Sequence, residues 1–87
     1  MSARVELTLA MLRRQTIELG LEISADDRVG EASAARLLKF HGDPLRRMRG
    51  EGTGPVHCRV GVGGSKISYR LIDLATWIER RRELSTT

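Results

Sequence analysis

The chain has 87 residues, 40% apolar and only 3% aromatic, which allows one small domain built on aliphatic side chains and no second core. Fifteen Lys and Arg against eleven Asp and Glu leave a net charge of +4, which favours a polyanionic partner. No apolar run approaches the roughly twenty residues of a membrane-spanning helix, and a lone Cys58 without a charged-then-apolar leader predicts a cytoplasmic protein with no internal disulfide.

The first twenty residues carry two periodicities. Val5, Leu7 and Leu9 alternate as in a strand, whereas Leu9, Leu12, Thr16 and Leu19 lie on one helical stripe. Arg13, Arg14, Gln15 and Glu18 are good helix formers, so the segment reads mostly as a helix capped by Thr8 and stopped by Gly20. Leu21 and Ile23 lead into the polar stretch Ser24 to Asp27, a linker signal, so residues 1–28 form an N-terminal extension and residues 29–84 the main domain.

From Gly30 to Leu38, GEASAARLL predicts a helix with Ala34, Leu37 and Leu38 inward; its alanines let a second helix approach closely. Asp43 and Pro44 then form a start signal for a second short helix, LRRMR. Leu45 and Met48 face its core side, leaving Arg46, Arg47 and Arg49 outward. Glycines 50, 52 and 54 with Pro55 break the chain.

Two alternating segments follow, Val56, Cys58 and Val60, then Ile67 and Tyr69; joined through Gly61 to Ser65, they predict a hairpin with a flexible tip. LIDLATWIERRR reads as a last helix with Leu74, Trp77 and Ile78 on one face and a basic end matched to the helix dipole. The residues after Leu84 read as a frayed tail. The predicted order is therefore helix, helix, turn, helix, hairpin, helix.

Between Lys39 and Arg82, ten Lys and Arg face four acidic residues, whereas the first thirty residues are nearly balanced. Within that basic region, S-A-A-R-L-L-K-F-H-G-D-P-L-R-R-M-R-G-E-G from Ser33 to Gly52 and Y-R-L-I-D-L-A-T-W from Tyr69 to Trp77 resemble the excisionase family of winged helix-turn-helix proteins. That family's pattern runs E-A-A-x-x-L-x-V-S-x-x-T-L-R-R-W-x-x-E-G, then a short wing, then Y-R-x-x-D-L-x-x-W. The resemblance covers about residues 29–82. It implies a mainly helical fold with a small β-hairpin, a winged helix-turn-helix carrying an extra N-terminal helical segment.

By matching positions, the resemblance places the second helix in the major groove and the wing at the neighbouring minor groove. It assigns Arg46 and Arg47 to the major groove, with His41, Gly42 and Asp43 at the helix start, and Lys66 with Gly64 and Ser65 to the wing's contact. Arg49, Arg59 and Arg70 then neutralise phosphates, while Tyr69, Leu74 and Trp77 fall on core positions. The family has Thr where Pro44 stands, Trp where Met48 stands, and a shorter wing tip than Gly61 to Ser65.

Other chemistry finds little support. His57 and Cys58 are neighbours on a strand and point to opposite faces, so they do not chelate one metal; with His41 they fall short of a zinc set. The glycines at 61, 63 and 64 join strands with no helix behind them to hold a phosphate. Glu18, Glu22, Asp26 and Asp27 lack a neighbouring base or nucleophile. The expectation is a protein without catalytic activity, cofactor or metal.

The function expected is that of an excisionase, or recombination directionality factor: several copies bind double-stranded DNA at an attachment region, bend it, and help a tyrosine-type integrase excise a mobile element. A small transcriptional regulator is the alternative, with a phage packaging subunit or a protein-binding winged helix behind it. The stripe of Leu9, Leu12 and Leu19 has two readings. It is either a fourth core helix or a head-to-tail self-association surface along DNA, and in the second case residues 1–22 are dispensable for folding.

Overall fold

Ser2 begins the first helix, α1 (Ala3–Glu18), by accepting the Val5 backbone N–H on its hydroxyl at 3.2 Å; the computed structural model describes residues 2–84. Thr8, expected as the cap, lies inside the helix, and its hydroxyl instead donates to Glu79 at 2.8 Å. Gly20 ends the helix as expected. Its φ of 65° lets its own N–H reach the Ile17 carbonyl and the Leu21 N–H reach Thr16, a closure that favours glycine.

The predicted linker is an ordered turn. The Ser24 hydroxyl accepts the Arg28 N–H, Arg13 pairs with Asp27 at 2.7 Å, and the Asp27 carbonyl accepts the Leu71 N–H. It leads into β1 (Arg28–Gly30), a strand that the sequence does not announce, because three residues are too few to show alternation. The predicted hairpin is therefore the larger part of a three-stranded antiparallel sheet in which β3 (Lys66–Arg70) lies between β1 and β2 (Cys58–Val60). Val29 faces Tyr69 across one ladder, and Arg59 faces Ile67 across the other. Val56, expected to begin the second strand's inward row, stands outside β2 and is exposed.

Helix α2 (Glu31–Leu37) follows β1 directly, and α3 (Pro44–Glu51) begins seven residues after it ends. Pro44 opens α3 as predicted, but Asp43 makes no side-chain cap bond. The helix also runs further than the glycines suggested, through Gly50 and Glu51, and closes at Gly52, whose φ is 73°. The last helix, α4 (Leu71–Leu84), continues from β3 with no connecting loop. The fold is thus mainly helical with a small antiparallel sheet; residues 85–87, expected to fray, lie outside the described residues.

One core joins all of this. Val29, Ala34, Leu45, Tyr69, Leu71, Leu74 and Ala75 are buried together with Leu9 and Leu12 of α1. Leu9 and Leu12 retain only 8% and 6% of their surface, which corrects the self-association reading for them: both side chains pack inside their own molecule, and Leu19 is half-buried beside them. Thr16 completes the stripe, with its buried hydroxyl satisfied by the Leu12 carbonyl at 2.7 Å. Residues 2–28 are consequently a structural part of the domain and not an appendage to a core already complete.

Trp77 also departs from expectation. The fully buried row of α4 is Leu71, Leu74 and Ala75, whereas Trp77 is half-buried at the rim. Phe40 meets its ring edge-on at 6.2 Å, Arg81 lies over it at 4.8 Å, and its indole N–H donates to the Thr53 carbonyl.

Each buried leucine of α1 contributes roughly 2 kcal/mol of apolar burial. Leu12→Ala should cost about 2 to 4 kcal/mol in denaturant unfolding, and a chain lacking residues 1–22 should lose its cooperative transition. A truncated chain that still unfolds cooperatively would show that α1 is an accessory.

Candidate nucleic-acid interface

Which arginines of α3 turn outward follows from the helical period. Leu45 is buried; Arg46 and Arg47, one and two positions on, turn away from the core and are exposed. Arg49 is four positions after Leu45 and therefore returns to the inner side. There its Nε and Nη2 donate to the two carboxylate oxygens of Glu31 at 2.7 and 3.1 Å. The pair is partly sheltered, with 18% and 24% of the two side chains exposed.

Glu31 has a third donor, the Tyr69 hydroxyl at 2.7 Å. This carboxylate thereby ties the start of α2 to the last turn of α3 and to the central strand. The paired Arg49 guanidinium holds the Glu31 carboxyl below its ordinary range against the opposing effect of desolvation, with Tyr69 adding to the lowering. Burial, followed by the bond to Glu31, pushes the Tyr69 phenol up. Arg49, expected at a phosphate, is engaged in this clamp.

Arg70, also expected at a phosphate, has an acidic partner as well. Its Nε and Nη2 donate to Asp73 at 2.7 and 3.1 Å, so its charge is balanced three residues away by the first turn of α4. Arg28, its neighbour across the sheet, pairs with Asp26. Arg59 and Lys66, by contrast, are exposed and form no ion pair among the described residues. They stand on adjacent strands, and Lys66 is a strand residue opposite Val60 instead of part of the tip.

The tip itself is a tight turn over Val62–Gly64, where the Gly64 N–H reaches the Gly61 carbonyl and the Ser65 N–H reaches Val62. Gly64 has a φ of 68°, and a side chain there would stand 3.3 Å from the Arg59 Cβ. Its role in the structure is thus to shape the tip beside Arg59, while Ser65 is exposed.

The α2–α3 turn carries His41, Gly42 and Asp43, all exposed, with Gly42 at a φ of 75° that permits the sharp reversal. A shallow concavity here brings Arg36 of α2 and Arg46 of α3 to one surface with Gly42 and Asp43. Arg36 and Lys39 are two exposed cations that the sequence reading did not single out. Their signal was available: both flank the turn, and Arg36 has no acidic residue three or four positions away in the chain. Glu31 was missed because its partners lie 18 and 38 residues away, a separation that no local spacing rule reaches.

No protein-family model, curated protein or solved structure matches the chain.

The clamp has a pH signature. Because the carboxyl's folded value is depressed, Glu31 contributes its full stabilisation above the ordinary 4.5 and loses it as pH falls below that point. Glu31→Gln should cost about 1.5 to 3 kcal/mol at neutral pH, and its deficit against the parent chain should shrink as unfolding is measured from pH 6 down to pH 3. A deficit constant across that range would show that the carboxylate's charge does not hold the clamp.

Proposed function

We propose that the chain is a winged helix-turn-helix protein that binds double-stranded DNA and serves as an excisionase, without chemistry of its own. One observation carries the DNA-binding reading. Arg46 and Arg47 are exposed, and unpaired among the described residues, on a short helix whose opposite side is held down by Leu45 and the Arg49–Glu31–Tyr69 clamp. A guanidinium presented from a fixed backbone loses little freedom on meeting a guanine edge, to which it donates two parallel hydrogen bonds.

Four other cations that form no ion pair among the described residues fit the supporting role. Arg36 and Lys39 flank the turn at the start of α3, and Arg59 and Lys66 lie on the hairpin; each is suited to a phosphate oxygen, which positions the protein without reading sequence. Arg49 and Arg70 are left out of this set because Glu31 and Asp73 already occupy them. The resemblance in Ser33 to Gly52 and Tyr69 to Trp77 supports the narrower reading. On it, several copies bend attachment-site DNA and direct a tyrosine-type integrase towards excision, the direction of recombination following from architecture.

Duplex binding should weaken steeply with salt, with a log–log slope of about −3 to −4 for four phosphate contacts. Arg46→Ala and Arg47→Ala should each cost about 1 to 3 kcal/mol and relax sequence preference, whereas Lys66→Ala should weaken all duplexes alike. Arg70→Ala should change little. A flat salt response in a fluorescence-anisotropy titration would remove the DNA reading, and wild-type binding by both α3 variants would remove α3 as the reading helix.

A further inference from the structure

Helix α1 has two apolar faces, and the core uses only one. Away from Leu9, Leu12 and Thr16, Leu7 and Met11 on the opposite side and Ile17 on the flank keep 67%, 64% and 79% of their surface exposed. Ala3, Leu7, Ala10, Arg14 and Ile17 recur at alternating spacings of four and three, the period of a seam between two packed helices. Scattered surface hydrophobics are ordinary, but Leu7 and Ile17, with Ala3 and Ala10 in the same register, Arg14 between them and Met11 beside them, repeat along one sixteen-residue helix.

We propose that this outer face pairs antiparallel with the same face of a second copy. The charges beside the stripe select that occupant and that orientation. Arg4 and Glu6 lie near the start of the helix, Arg14 and Glu18 near its end. With the two-fold axis between Ala10 and Met11, Leu7 faces Arg14 of the other copy, which brings Glu6 beside that arginine. Arg4 likewise faces Ile17 and comes beside Glu18. A parallel pair stacks each of these charges on its own kind, and it also aligns the helix dipoles unfavourably.

Arg13 takes no part, since Asp27 already holds it. The pairing is isologous and closes at two copies, unlike the head-to-tail arrangement expected from the buried stripe. It needs no DNA and does not rest on the proposed function. Three large apolar side chains per copy make a small interface, which places the dimer in the weak class, dissociating in about the micromolar range or above.

Sedimentation velocity on the full chain without DNA, from micromolar to millimolar concentration, tests the proposal. The mass should rise with concentration from 9.7 kDa towards twice that value. Leu7→Arg, which sets a second cation against Arg14 of the other copy, should weaken the dimer at least tenfold while leaving the circular-dichroism melt unchanged. Arg14→Glu should weaken it about fivefold, and adding Glu6→Arg in the same chain should restore it, because the exchange recovers opposite charges only in the antiparallel register. A chain monomeric at millimolar concentration overturns the proposal. So does a dimer indifferent to Leu7→Arg, or an Arg14→Glu defect that Glu6→Arg leaves in place.

Discussion

Glu31 accepts three hydrogen bonds, two from Arg49 and one from Tyr69, and the placement of the exposed arginines depends on them. Helix α3 is eight residues long, too short to be stable alone, and between Asp43 and Gly54 it presents few large apolar groups. Leu45 anchors its first turn in the core, and the clamp anchors its last. Between these two points Arg46 and Arg47 have no freedom to rotate inward. Charged hydrogen bonds in a partly sheltered site are worth more than those of exposed ion pairs such as Arg13–Asp27. The clamp is therefore the interaction whose loss most directly disorders the surface that α3 presents.

A second constraint explains why so small a chain keeps α1. The segment from β1 to β3 has a sheet with a three-residue edge on each side and helices of seven and eight residues. Such short elements bury little on their own. α1 covers α4 with Leu9, Leu12 and Thr16, and its Thr8 hydroxyl satisfies one oxygen of the buried Glu79; the other oxygen lies 3.5 Å from the Arg82 guanidinium. The same helix leaves Leu7, Met11 and Ile17 outside, so one element both completes the core and offers a surface beyond it.

Helix identities and order were legible because they depend on local signals: the stripe from Leu9 to Thr16, the stop at Gly20, Pro44 at the start of α3, and the alternation around Tyr69. What was not legible depended on partners distant in sequence. β1 exists because β3 offers it a ladder, not because Arg28, Val29 and Gly30 favour a strand. Arg49 and Arg70 looked like free cations until Glu31 and Asp73 met them. Leu9 and Leu12 looked surplus because their partners on α4 are some sixty residues away, and Trp77 lies at the rim because Leu71, Leu74 and Ala75 take the inner row. Arg46, Arg47, Arg59 and Lys66 were thus legible as exposed cations, and Glu31, the carboxylate that holds α3 from behind, was not.

The central claim is that the α2–α3 corner and the hairpin form one binding surface held in place by the core behind it. Titrating the isotope-labelled protein with a short duplex and following its backbone amide resonances tests this claim residue by residue. The account predicts that shifts concentrate in residues 36–47 and 59–66 and leave α1 and the outer face of α4 nearly unchanged. Shifts centred on α1 or α4, with residues 36–47 undisturbed, would contradict it.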